Sequence, residues 1–181
     1  MTKRCMIDIE TLGTDNDAVI IQIGAVIFNE QGMLETFESK INVDCQQERS
    51  TTAGTLAFWF KQDVSLYDVI GDEDLQVALM RLKKFLKGKK VEEFWSKGSF
   101  DFNLLDNAFK SYSMRPPWHY GQVRCFRTMF KLPVPRNIDK NETLHDALSD
   151  AIHQATELNE ILNAISYLWK ETQTAKQECN E

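Results

Sequence analysis

The feature that most constrains this chain is Ala18 to Phe28, an almost unbroken apolar run rich in Ile and Val. Only Gln22 and Gly24 interrupt it. A run of that kind suits a central strand covered on both faces, because each face must be buried for the sequence to stay apolar at every position. Neighbouring segments supply the rest of a sheet. Residues 4–9 read as a short buried strand, Gln31-Gly32 as a turn, and Met33 to Val43 as the third strand of a meander. Val91 to Trp95 reads as a fourth strand and Val123 to Phe126 as a short fifth.

Helices are expected between and after these strands. One covers about Thr52 to Gln62. A second is marked by Leu75, Ala78, Leu79, Leu82, Phe85 and Leu86 and closed by Gly88. A third covers Phe100 to Tyr112, ahead of the Pro116-Pro117 break. The last opens at Thr143, where Thr-x-x-Asp (Thr143, Asp146) resembles a capping box, and its apolar stripe runs from Leu144 to Trp169. Three hairpin-linked strands followed by helix–strand units predict an α/β fold of ribonuclease H-like order: a mixed five-stranded sheet with helices on both faces. The expected organisation is one domain over 1–170 and a polar tail over 171–181.

Two acids, Asp8 and Glu10, flank Ile9 at the end of the first strand. Period-two geometry puts both carboxylates on one face, where they repel unless a cation or proton intervenes. With 27 acidic residues in 181, about one Asp-x-Glu arises by chance, so solvated strand-end acids are the plain alternative. Asp101 follows the fourth strand at a helix start, where an Asp also serves as a cap. His145 and Asp150 fall at the start of the last helix. Their five-residue gap corresponds to about 7.5 Å of rise and about 500° of rotation, which offsets the side chains and separates them into different shells. A first-turn histidine on a helix surface is the alternative for His145.

In combination the pattern is specific. Asp-x-Glu on strand one, Asp at a mid-chain strand–helix junction and His-x4-Asp on a late helix occur in that order. This resembles the DEDDh 3′→5′ exonucleases, the superfamily of ribonuclease T and of the proofreading subunit of bacterial DNA polymerase III. Asp-Ile-Glu-Thr-Leu-Gly-Thr followed by Ile-Gln-Ile-Gly-Ala-Val matches its first motif. A tyrosine-type relative would carry Tyr four residues before the last Asp; Asp146 stands there, which indicates the histidine type. Thr55 to Gln62, Trp95 to Asp101, Pro117 to Tyr120 and Arg124 to Thr128 further resemble the phage and prophage exodeoxyribonuclease VIII-like group, which includes a mycobacterial exoribonuclease. Cys125 departs from that group's Arg-Asp-x-Arg-Thr pattern.

The resemblance implies a metal-dependent 3′→5′ exonuclease that releases nucleoside 5′-monophosphates from the end of single-stranded DNA or RNA. It implies two divalent ions, Mg²⁺ or Mn²⁺, held by Asp8, Glu10, Asp101 and Asp150, with His145 as general base. Glu10 and the backbone at Thr11-Leu12 would meet the terminal 3′-hydroxyl, and Phe100 is a further expected substrate contact. Trp59 is either a platform for a terminal base or a core residue between Phe58 and Phe60. His153 reads as surface or support, and His119 carries no assigned role. A non-catalytic nucleic-acid-binding relative and a ribonuclease H-like endonuclease are the rival readings.

Charge and composition bear on partners. A formal net charge of −6 argues against a wide basic surface, but not against phosphate chemistry run through metal ions, which reverse the local field. Arg81, Lys83, Lys84, Lys87, Lys89 and Lys90 read as the solvated face of a helix. The four scattered cysteines read as reduced thiols. No apolar run reaches membrane-spanning length and no signal peptide is evident, so a cytoplasmic location without membrane contact is expected. A homodimer is left open.

Overall fold

A computed structural model describes residues 1–62, 65–134 and 145–178, with side chains described as far as Thr174. Five strands form one sheet: β1 (Arg4–Thr11), β2 (Ile20–Asn29), β3 (Gly32–Lys40), β4 (Glu93–Ser96) and β5 (Val123–Cys125). Their spatial order is β3-β2-β1-β4-β5. β1 pairs antiparallel with β2, and β2 antiparallel with β3. β4 then lies parallel to β1, and β5 parallel to β4. The helices are α1 (Ala53–Trp59), α2 (Leu66–Val69), α3 (Leu75–Leu86), α4 (Phe100–Ser111), α5 (Phe126–Phe130) and α6 (Ala147–Glu178). The two very short helices, α2 and α5, carry too few residues for a periodic signal, and the sequence did not predict them.

Two cores sandwich the sheet. Cys5, Ile7 and Ile9 of β1 join Ile23, Ala25 and Ile27 of β2 against α3 and α4. Met6, Val26 and Phe28 face the other way, against Ala151, Ala155, Leu158 and Ile161 of α6. All ten residues of β2 are buried, as its apolar run requires. The alternation also assigns a side to the acids: Asp8 and Glu10 share Met6's face, under α6.

The start of α6 differs from expectation. The helix begins at Ala147, and Asp146 caps it by accepting the Ser149 N–H at 2.9 Å. Thr143, the expected start, lies outside the described residues. His145 precedes the helix with φ +64°, in the left-handed region that non-glycine residues rarely adopt. The helix also runs on to Glu178, through the segment read as a polar tail. Among the described residues, no helix is long and apolar enough to cross a membrane, and Cys5, Cys45 and Cys125 are free thiols.

Candidate active site

Close backbone contact brings α6 onto the acids. Gly24 sits opposite Asp8 in the β1–β2 register, and a Cβ at Gly24 would overlap the Ala147 backbone. Gly24 therefore lets the first turn of α6 rest directly on the sheet. Gln22, two pairs along and opposite Glu10, fixes that turn. Its Oε1 accepts the Ala147 N–H at 2.9 Å, and its Nε2 donates to Asp146 Oδ2 and to Glu38 Oε1, both at 2.9 Å. The two interruptions in the apolar run of β2 are thus the two residues that seat the helix.

The consequence is a single cluster. Ligand atoms of Glu10, His145 and Asp150 all lie within 4.8 Å of one another. This corrects the helical offset expected from sequence. His145 is not on the helix, and its backbone N–H donates back to Asp150 Oδ2 at 3.1 Å, so a left-handed turn folds the imidazole toward the carboxylate. Asp8 is held from the helix side, where Gln154 Nε2 donates to its Oδ1 at 2.8 Å. Asp101, in the first turn of α4, is 7% exposed.

These acids are poorly compensated. Burial, and then the charge of Asp101, lift the Asp8 carboxyl well above its ordinary range, with Glu10 and Asp150 adding to the rise. Glu10 is pushed up to about 8 by burial, then by Asp150, Asp101 and Asp146. Burial lifts Asp101 to about 6, although backbone hydrogen bonds at Asp101 and Ile9 and the charge of Arg127 oppose it. A converging set of oxygen donors and one imidazole, carrying buried negative charge, fits a divalent cation.

The sign of the pH effect follows. Without metal, the folded protein holds protons on Glu10 that the unfolded chain releases above about 4.5, so the contribution of Glu10 to stability is full below about 4.5 and is lost as pH rises through about 8. A cation must displace those protons. Calorimetry should therefore show Mn²⁺ affinity rising from about pH 6 to about pH 8, the range set by Asp101 and Glu10. The metal-free melting temperature should fall over the same range. Affinity independent of pH there would mean that the acids are not buried together.

A cleft of about 730 Å³ opens beside the cluster, lined in part by Glu10, Thr11, Phe58, Trp59, Phe100 and His145. Thr11, Trp59 and Phe100 thus meet at one mouth. Leu12 lies outside that lining: it is 8% exposed, packs with Val19, Ile21 and Trp59, and gives its N–H to the Val19 carbonyl at 2.9 Å. Trp59 is 2% exposed and its indole N–H donates to the Thr11 carbonyl at 2.8 Å. The ring turned outward is Phe58, at 40% exposure, packed edge-on against His145 with centroids 4.8 Å apart. His153 sits 3.9 Å from Glu157 on α6.

Four residues of the site escaped the sequence reading: Gln22, Phe58, Asp146 and Gln154. Gln154 had a signal, since it lies four residues after Asp150 and so shares its helix face.

A ribonuclease H-like sheet with an acid–histidine cluster beneath its last helix is the architecture of a nuclease domain. A profile of the 3′-5′ exoribonuclease Rv2179c-like domain matches residues 3–162, and the chain belongs to that family. It carries a 3′-5′ exonuclease domain. Among solved structures, E. coli exonuclease I in complex with a dT13 oligonucleotide matches with a TM-score of 0.71 at 14% identity, over 94% of this chain and 43% of that one. The same enzyme with a dA16 oligonucleotide gives 0.70 at 14% identity, over 96% and 43%. A zinc-bound form of the E. coli exonuclease I–single-stranded DNA complex gives 0.68 at 14% identity, over 94% and 43%. The chain thus spans less than half the length of those exonuclease I chains, and the likeness is one of fold. No curated protein matches.

Proposed function

We propose that this protein is a metal-dependent 3′→5′ exonuclease that removes nucleoside 5′-monophosphates from the 3′ end of single-stranded nucleic acid. The observation that carries the reading is the convergence of Glu10, His145 and Asp150 within 4.8 Å, beside the half-buried Asp8 and the buried Asp101, at the edge of a cleft walled by aromatic rings. Asp8, Glu10, Asp101 and Asp150 would hold two ions, Mg²⁺ or Mn²⁺. Such ions supply charge neutralisation at the phosphate and a more acidic bound water.

The chain's own groups do the rest. Gln154 engages one oxygen of Asp8 and fixes that carboxyl group. Phe58 and Trp59 pack on the His145 ring, with the Trp59 centroid 6.0 Å away. That packing orients an imidazole which can take the proton of the attacking water as general base. Phe58 offers a face for the terminal base, and Trp59 supports Thr11 from below. The membership in an exoribonuclease family favours RNA as the first polymer to test.

Incubation of matched end-labelled RNA and DNA single strands with Mg²⁺ or Mn²⁺ tests the reading. Stepwise shortening from the 3′ end is expected; internal cuts or intact strands would overturn it. His145→Ala separates a base from a ligand. As a base, its loss should lower kcat at neutral pH by about 10²–10⁴-fold with Mn²⁺ affinity retained, while His153→Ala keeps near-full rate. A parallel collapse of Mn²⁺ affinity would make His145 a ligand instead.

A further inference from the structure

The site described so far is almost wholly acidic, yet its proposed substrate is a polyanion. Arg127 brings a positive charge to bear on Asp101. It lies in α5, directly after β5, and β5 is the neighbour of β4 at the sheet's edge. Arg127 Nε donates to the Lys97 carbonyl at 3.1 Å, in the β4–α4 connection that delivers Asp101. That bond fixes the arm of the side chain. The guanidinium's other end comes near Gly98, where even a Cβ would stand 4.0 Å from Nη2. Arg127 is exposed at the surface. Arg124 is differently employed: its Nη1 donates to the Gly121 carbonyl at 2.7 Å, and its Nε lies 3.8 Å from Glu93.

We infer that Arg127 is a phosphate-binding residue for the substrate strand, gripping a backbone phosphate on the 5′ side of the scissile bond. This rests on the reading given under Proposed function. The side follows from layout. The cleft at Glu10, Thr11, Phe58 and His145 receives the terminal nucleotide, and it lies on the β1 side of the acids. Arg127 lies on the β5 side, beyond Asp101. A strand whose end occupies the cleft and that leaves across Asp101 runs toward β5, the next strand beyond β4. A guanidinium held by one N–H and presenting the rest as a fork suits a phosphate's paired oxygens, and its preorganisation limits the entropy lost on binding. It also offsets repulsion between the strand and the acids.

The test compares Arg127→Gln and Arg127→Lys with the parent protein in an Asp8→Asn background, which binds without turnover. Fluorescence anisotropy with a single-stranded oligonucleotide is recorded across a NaCl series. Arg127→Gln should weaken binding about tenfold, or about 1.4 kcal/mol, and reduce the slope of log K against log salt by about 0.7, one phosphate contact on a single strand. Arg127→Lys should keep the slope and recover part of the affinity. Weakened binding with an unchanged slope would overturn the inference and make Arg127 a brace for the Lys97–Gly98 connection. A wild-type enzyme that shortens no strand would instead end the exonuclease reading itself, so the two failures are distinguishable.

Discussion

Asp8→Asn is expected to abolish metal-dependent hydrolysis while making the metal-free protein more stable. Asp8 sits under α6 with Asp101, Glu10 and Asp150 all opposing its charge, so the carboxylate is unfavourable in the fold unless cations are bound. The asparagine is nearly isosteric and keeps a carbonyl oxygen for Gln154 Nε2, so packing and the hydrogen bond survive. Removing the repulsion should stabilise by about 0.5–2 kcal/mol, in line with other traded-off active-site residues. For a chain of this length that raises the melting temperature by about 1–8 °C. Turnover should fall by about 10³-fold or more, because the ion site loses an anionic ligand. Calorimetry without metal and a strand-shortening assay with Mn²⁺ check both halves. A variant that lost activity and also lost stability would point to a structural role for Asp8.

The second large effect belongs to a residue with no side chain. Gly24→Ala places a methyl group inside the Ala147 backbone. The obstacle is main chain at the start of a helix clamped by Gln22, so a rotamer change gives no relief. Either α6 lifts from the sheet or β2 buckles, and both disturb the core of Val26, Ala151 and Ala155. The expected loss is about 3 kcal/mol, near the upper end for overpacking, with the melting temperature lowered by about 6–12 °C. Because α6 carries Asp150 and follows His145, Mn²⁺ affinity should fall in the fraction that folds. A Gly24→Ala protein with unchanged melting temperature and metal affinity would show that the helix does not rest on β2.

Much of the fold was legible because it is periodic. The apolar run predicted a doubly covered strand, and β2 is buried at every position. The alternation Cys5, Ile7, Ile9 against Met6, Asp8, Glu10 sends one set into the α3–α4 core and the other under α6. The same rule of period two puts both acids on one side. Strand and helix boundaries shifted by a few residues, as fraying ends and competing caps lead one to expect. Cys125, the departure from the pattern that the sequence otherwise resembles, is exposed and pairs with Ser96 of β4.

The sequence by itself determined the sheet, the face on which Asp8 and Glu10 stand, and the order of acids and histidine that marks the family, because those follow from local periodicity and motif. Only the tertiary structure decided how His145 reaches Asp150. A left-handed turn at φ +64° has no periodic signature, and the sequence reading had extended the helix through it. It also decided what holds the site together. Gln22 meets Ala147 across 125 residues and Gln154 meets Asp8 across 146. Contacts of that separation arise only when α6 packs on the sheet, and Gly24 is what lets it pack so closely.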